Sequence, residues 1–142
     1  MPVLPDWVRS LPRQTLANAL GIEIVELTDE RVVATMPVDD RTRQQYGLLH
    51  GGASIALAET VASLGAAGRV DRARFAVVGQ EINGNHIRAV KDGVVRAVAT
   101  PVHVGRSSQV WSIEIRDEQE RLVCISRCTL AVVEIRGSSG GR

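Results

Sequence analysis

The stretch that most constrains this chain is Gly47-Leu48-Leu49-His50-Gly51-Gly52, which runs straight into an apolar segment over residues 53–68. That segment is made of Ala, Gly, Ser, Leu, Val, Ile and Thr, lacks Pro, and carries a single charge, Glu59. Its Ala and Leu content and the absence of period-two alternation predict a helix. A helix apolar on every side belongs inside a protein. It is too short, and holds its carboxylate too near the middle, to span a bilayer. An unpaired carboxylate in an apolar setting is costly or takes up a proton, so a buried Glu59 is expected to have a purpose. Just ahead, two glycines let a ligand approach the backbone, and the first-turn N–H groups lack intrahelical partners. A donor-rich helix start with an acid on the same helix is the outline of an active site.

At 142 residues the chain fits one domain. A domain of that size buries roughly 68–70% of its unfolded surface and needs no metal or disulfide to hold it together. A formal net charge of +1 argues against a nucleic-acid footprint and against electrostatic attachment to a membrane. The two cysteines, Cys124 and Cys128, fall on one face of an expected strand; they read as small core residues and fit a reducing compartment. The first six residues show no signal-peptide pattern, so a cytoplasmic protein is expected. His50, His86, His103 and the cysteines have no metal-ligand spacing, and no Gly-x-Ser-x-Gly elbow is present.

Taken in order, Pro5 and Pro12 bracket a short arm with Trp7, and residues 11–20 predict a helix closed by Gly21. Residues 22–27 and 31–38 read as strands joined at Asp29-Glu30, with Val32, Ala34 and Met36 on one face. After a polar loop over 39–46 and the apolar helix, everything reads as strand: 75–87, 94–104, 109–116 and 121–135. In 109–116, Trp111, Ile113 and Ile115 face one way and Ser112, Glu114 and Arg116 the other. Strands 94–104 and 121–135 are apolar on both faces, which predicts a sheet covered twice there. The tail 138–142 is expected to be disordered, with 1–137 forming a single domain. One buried helix among antiparallel strands implies an α+β domain whose sheet curls around the helix. Its exposed edges and half-exposed helix predict pairing with a second copy.

Several segments together carry a family resemblance. They are residues 44–54 (Gln-Gln-Tyr-Gly-Leu-Leu-His-Gly-Gly-Ala-Ser), Ala58-Glu59, residues 81–88 (Glu-Ile-Asn-Gly-Asn-His-Ile-Arg), residues 105–111 (Gly-Arg-Ser-Ser-Gln-Val-Trp) and residues 117–127. The sequence resembles the hot-dog-fold acyl-CoA thioesterases over about residues 15–135. Within them it is similar to the PaaI-like branch of the 4-hydroxybenzoyl-CoA and 1,4-dihydroxy-2-naphthoyl-CoA thioesterases, the latter serving menaquinone and phylloquinone synthesis. It departs from that branch at Arg106-Ser107-Ser108, where a basic pair or His is usual. The resemblance implies a hot-dog fold, an antiparallel sheet wrapped around one long central helix with a short N-terminal helix. It further implies a homodimer at minimum and a homotetramer by analogy, an acyl-CoA substrate, and no cofactor, coenzyme A being part of the substrate.

Thioester hydrolysis needs an acceptor for charge on the carbonyl oxygen and a nucleophile or base. The Gly51 N–H at the helix start is the natural oxyanion donor; the plain alternative is that Gly51-Gly52 only permits a tight turn. The resemblance makes Glu59 nucleophile or general base, and the two roles stay open; a structural pairing with a buried Arg is the alternative. Nine residues of helix rise roughly 13 Å and turn about 900°, so a single chain would struggle to bring His50 and Glu59 to one carbonyl; if both act, Gly51 of one subunit should meet Glu59 of another. By the same resemblance Gln44 and His50 hold the thioester oxygen or the attacking water, Ser63 touches acid or substrate, and His86 lines the acyl pocket. Arg88 and Gly105-Arg106-Ser107-Ser108 offer guanidinium groups, hydroxyls and turn amides to the phosphates of coenzyme A. His103 has no assigned role. Two other readings remain at this point, a hot-dog dehydratase acting on acyl thioesters and a non-catalytic acyl-CoA sensor.

Overall fold

Apolar residues at alternate positions build the sheet. Trp111, Ile113 and Ile115 of the strand Ser108–Arg116 are fully buried, while Ser112, Glu114 and Arg116 between them are not. Val32, Ala34 and Met36 of the strand Val32–Pro37 join the same core, as do Cys124, Cys128 and Leu130 of the strand Leu122–Glu134. The computed structural model describes residues 4–136. Its elements are α1 (Asp6–Arg9), α2 (Leu16–Ala19), β1 (Glu23–Leu27), β2 (Val32–Pro37), α3 (Gly51–Ala67), β3 (Phe75–His86), β4 (Val94–Val104), β5 (Ser108–Arg116) and β6 (Leu122–Glu134). The strands form one antiparallel sheet in the order β1-β2-β4-β5-β6-β3, which leaves β1 and β3 at its edges.

The sheet curls against one side of α3. The buried positions of the helix form a single stripe, Ala53, Ser54, Leu57, Ala58, Val61, Ala62, Gly65 and Ala66. Two contacts fix its C-terminal half. A methyl group on Gly65 would stand 2.6 Å from the Trp111 ring, so the glycine lets helix and strand close up. The Trp111 indole N–H donates to Gln109 Oε1 at 2.9 Å, and Gln109 Nε2 donates to the Ala66 carbonyl at 3.3 Å. This chain gives three buried polar groups a partner, which an apolar interior requires.

Four expectations need correction. The helix expected over 11–20 is only the four residues of α2. Pro12 disfavours helical backbone at Leu11, and Thr15 starts the turn by accepting the Asn18 N–H. The arm with Trp7 is itself a helical turn, α1, and Arg72 lies 4.1 Å from the centre of the Trp7 ring. The second face of the sheet is not covered within the chain: Val102, Val104, Ile125 and Val133 are exposed. Glu59 is half-buried rather than buried, because the sheet covers one stripe of α3 and leaves the other, Ile55, Ala56, Glu59, Thr60, Ser63 and Leu64, partly open. The expected tail over 138–142 lies outside the described residues. Among the described residues, no helix is long and apolar enough to cross a membrane.

Candidate active site

The entry loop is held from both sides. Thr42 is buried and donates its hydroxyl to the Pro37 carbonyl at 2.7 Å, while accepting the Asp39 N–H at 3.1 Å. The chain then doubles back: Gln44 N–H bonds the Leu48 carbonyl, Gly47 N–H bonds the Gln44 carbonyl, and Gly47 takes a φ of +82° that a glycine adopts without strain. His50 N–H returns to the Thr42 carbonyl and Leu49 N–H to the Val90 carbonyl. This pins the start of α3 between the loop and residue 90.

His50 is the N-cap of α3. Its Nδ1 accepts the Gly52 N–H at 2.7 Å, which leaves Nε2 to carry the ring proton. Ala53 and Ser54 N–H both reach the His50 carbonyl. Of the four amides that open the helix, Gly51 N–H makes no hydrogen bond among the described residues. Gln44 Oε1 accepts the Tyr46 N–H, which fixes the side-chain amide so that its NH2 is the free end. The segment therefore offers three donors: Gly51 N–H, His50 Nε2–H and the Gln44 NH2. Such a set suits an oxygen that gains negative charge.

Running down α3, the ridge Gly51, Ile55, Glu59 lies along β3. A Cβ on Gly51 would be 2.8 Å from His86 Nε2; one on Gly84 would run into the Ile55 side chain; one on Gly79 would run into the Glu59 carboxylate. Gly79 and Gly84 are an odd number of residues apart, yet both face the helix. The reason is a bulge between Gly79 and Glu81, where β3 carries one residue more than β6. The bulge turns Gly79 inward and makes it the seat of the Glu59 carboxylate. Sequence reasoning missed Gly79, although an isolated glycine in a strand pattern is the usual sign of a bulge or a close approach.

Glu59 forms no ion pair among the described residues, so the expected structural alternative, a pairing with a buried Arg, is not what holds it. Its charge is felt by Cys128, whose thiol is pushed up to about 11, first by burial and then by the carboxylates of Glu59 and Glu81. Burial likewise raises the Cys124 thiol. Both cysteines are core residues, as expected, and neither is a nucleophile at neutral pH. Ser63 lies one turn beyond Glu59, and both line an open groove of about 930 Å³ bounded on its other side by the N-terminal arm.

The structure separates some expected partners. Gly51 and Glu59 are eight residues apart on one helix, about 12 Å of rise, so they cannot meet at one carbonyl within a chain. Arg88 follows β3 at the end where His86 pairs with Cys124. The turn of Arg106, Ser107 and Ser108 lies at the other end, where Ser108 and Val78 both pair with Ala131. Within one chain these basic groups do not converge, because the strands that carry them run the full length of the sheet.

An antiparallel sheet curled on one long helix, with a donor-rich helix start facing a strand histidine and an acid two turns further on, defines a hot-dog thioesterase. The sequence pattern of the thioesterase superfamily matches residues 46–124. ComA2 of Bacillus subtilis (strain 168), named an esterase with no substrate stated, is 62% identical over 122 residues, 86% of this chain and 97% of that one. The 1,4-dihydroxy-2-naphthoyl-CoA hydrolase of Escherichia coli (strain K12) is 45% identical over 136 residues, covering 89% and 98%. The crystal structure of thioesterase HI1161 from Haemophilus influenzae superposes with a TM-score of 0.84 at 46% identity, covering 88% of this chain and 87% of that one. The chain belongs to the thioesterase superfamily, and it is an enzyme that hydrolyses acyl-CoA thioesters. That decides for hydrolysis against the dehydratase and the sensor.

Proposed function

We propose that the enzyme hydrolyses an aryl or related acyl-CoA, of the dihydroxynaphthoyl or hydroxybenzoyl type, at a site shared by two copies of the chain. The Gly51 N–H, unpaired among the described residues, is the observation that carries this reading. It polarises the thioester carbonyl, with His50 Nε2–H and the Gln44 NH2 holding the same oxygen or the attacking water. Glu59 of the second copy acts as general base or as nucleophile. As base it takes a proton while water adds to the carbonyl carbon; as nucleophile it forms an anhydride that water then opens. On either route the C–S bond breaks, the sulfur leaves with a proton as the coenzyme A thiol, and the acyl group leaves as the acid. Ser63 and His86 border the acyl group. Arg88, Arg106, Ser107 and Ser108 serve the phosphates, with the two ends of the sheet supplied by different copies. No cofactor takes part, and coenzyme A enters only with the substrate.

The free edge of β3 suggests how the copies pair. Glu59 is seated at Gly79 and Gly51 lies at His86, which are six ladder steps apart once the bulge is discounted, about 20 Å along the strand. An antiparallel pairing of two β3 edges about a two-fold axis beside Asn83 sets Gly79 opposite the partner's His86. Residues opposite one another in such a ladder point to the same face. Each Glu59 then reaches the other copy's helix start, and both exposed edges disappear.

The substrate class is supported by the name of the Escherichia coli relative. The test is thiol release from dihydroxynaphthoyl-CoA, hydroxybenzoyl-CoA and aliphatic thioesters by the wild type and Glu59→Gln. The expected loss in kcat is about 100- to 10,000-fold, the usual worth of a positioned base. Turnover of Glu59→Gln close to wild type would overturn the assignment. The two buried thiols, held protonated at neutral pH, keep the background of such an assay low.

A further inference from the structure

The segment over residues 4–14 satisfies its own hydrogen bonds. Val8 and Arg9 N–H bond the Pro5 carbonyl, Ser10 N–H the Asp6 carbonyl, and Leu11 N–H the Val8 carbonyl. Arg9 pairs with Asp6, and the Ser10 hydroxyl donates to the Asp6 and Trp7 carbonyls. Among the described residues, no hydrogen bond or ion pair joins this segment to the remainder of the chain. Two contacts tether it. Val8 is the one buried residue between 4 and 16, and the Trp7 ring lies over Arg72 at 4.1 Å. Arg72 is itself tied to the end of α3, where it donates to the Ala67 carbonyl at 3.3 Å. Past the tethers, Ser10 to Leu16 are all exposed. The Arg13 and Gln14 N–H groups make no hydrogen bond among the described residues, and Pro12 has no N–H to offer.

The same segment bounds the groove beside Glu59. Val8, Arg9, Leu11 and Arg13 stand on one wall, with Glu59 and Ser63 on the other. A segment with few buried contacts and exposed, unbonded backbone opens at low free energy while the body stays folded. We infer that residues 4–14 form a strap that swings about residues 10–15, closes on the bound acyl group, and is latched by the Trp7–Arg72 stack. The inference rests on the hydrolase reading above, which puts the acyl group at Glu59 and Ser63. Closure of such an element keeps water out and holds the substrate through the reaction. Neither Trp7 nor Arg72 lines the groove, so both are positioning residues that act through Val8 and Leu11. A cation–π stack at an exposed site favours the closed strap about two- to fivefold.

The experiment is limited trypsin digestion of the full chain, read by mass spectrometry as initial rates of cleavage after Arg9 and after Arg13. A cut after Arg121, in the turn before β6, reports general loosening of the fold. When opening is fast relative to cleavage, the rate follows the open population. The probe is S-(naphthylmethyl)-coenzyme A, a thioether that cannot be hydrolysed, at the saturation calorimetry sets; coenzyme A alone is the control. The thioether is expected to slow both arm cuts at least about fivefold, and coenzyme A to leave them unchanged. Arg72→Ala and Trp7→Ala should each speed the arm cuts about two- to fivefold in the free enzyme, with the double variant no faster than either. Trp7→Phe, which keeps a ring over Arg72, should stay near wild type, and the Arg121 cut should not change. Arg72→Ala should also release the bound thioether about two- to fivefold faster. Arm cuts insensitive to the thioether, equal protection by coenzyme A, independent effects in the double variant, or a matching rise after Arg121 overturns the inference. Thiol-release assays separate the two failures. Protection by the thioether with no thiol release from any thioester keeps the strap and sinks the catalytic reading. Thiol release with arm cuts insensitive to the thioether does the reverse.

Discussion

At the scale of single residues, the site depends on glycines as much as on the acid. His50 and Glu59 stand out in the sequence because a capping histidine beside glycines and a lone charge in an apolar run are both local signals. Gly79 does not stand out, because its role depends on a bulge that only the pairing of β3 with β6 makes visible. The Gly79→Ala variant puts a methyl group where the Glu59 carboxylate lies. The carboxylate must then move by the order of an ångström, and displacements of that size cost up to about 100-fold in rate. The expected result is a lower kcat with KM and thermal stability near those of the wild type. A fall in stability with kcat unchanged would mean that Gly79 serves packing and not the position of Glu59. The degree of burial of Glu59 was likewise beyond the sequence. An all-apolar helix does not say which stripe its own sheet covers.

At the scale of elements, alternation made the strands legible and local turn chemistry fixed their ends. The arm was misread because a four-residue helix has too few positions to show a period, and a proline inside the pattern hid its start. The turn from β5 to β6 illustrates a case where one side chain does the work. Asp117 Oδ1 accepts the N–H groups of Gln119 and Arg121, each at 2.9 Å, and Oδ2 accepts Arg121 Nε at 2.8 Å. Desolvation pushes the Asp117 carboxyl up, but the hydrogen bonds from Arg121 and Gln119 outweigh it and hold the group below the usual carboxylate range. A depressed carboxyl stabilises the fold above its unfolded pKa, and that contribution is lost as pH falls through the folded value. Asp117→Asn should therefore lower Tm at pH 7. Its deficit should shrink as the pH drops below the ordinary aspartate range, because the wild-type acid then takes up its proton too. A deficit constant from pH 7 to pH 2 would contradict the assignment of this turn to the ionised acid.

At the scale of the whole molecule, the proposed site needs two copies of the chain. Helix arithmetic already separated His50 from Glu59 in the sequence. The structure adds that Glu59 and Gly51 rest at opposite ends of one free strand edge, and that Arg88 and the Arg106 turn divide between the same two ends. A two-fold axis beside Asn83 puts the two Asn83 residues opposite each other, with Cα atoms about 4.5–5.5 Å apart, inside the range a disulfide bridges. Asn83→Cys should therefore cross-link two chains on mild oxidation; monomer alone on a non-reducing gel would rule out that register. The central claim, one site from two copies, is tested most directly by complementation. Glu59→Ala and a His50→Ala/Gln44→Ala variant, each inactive alone, are unfolded together and refolded as a mixture. Half of the reassorted dimers are mixed and each holds one intact site, so about a quarter of wild-type thiol release should return. Mixed dimers detected by mass spectrometry with no activity above either parent would show that each chain works alone, and would contradict the shared site.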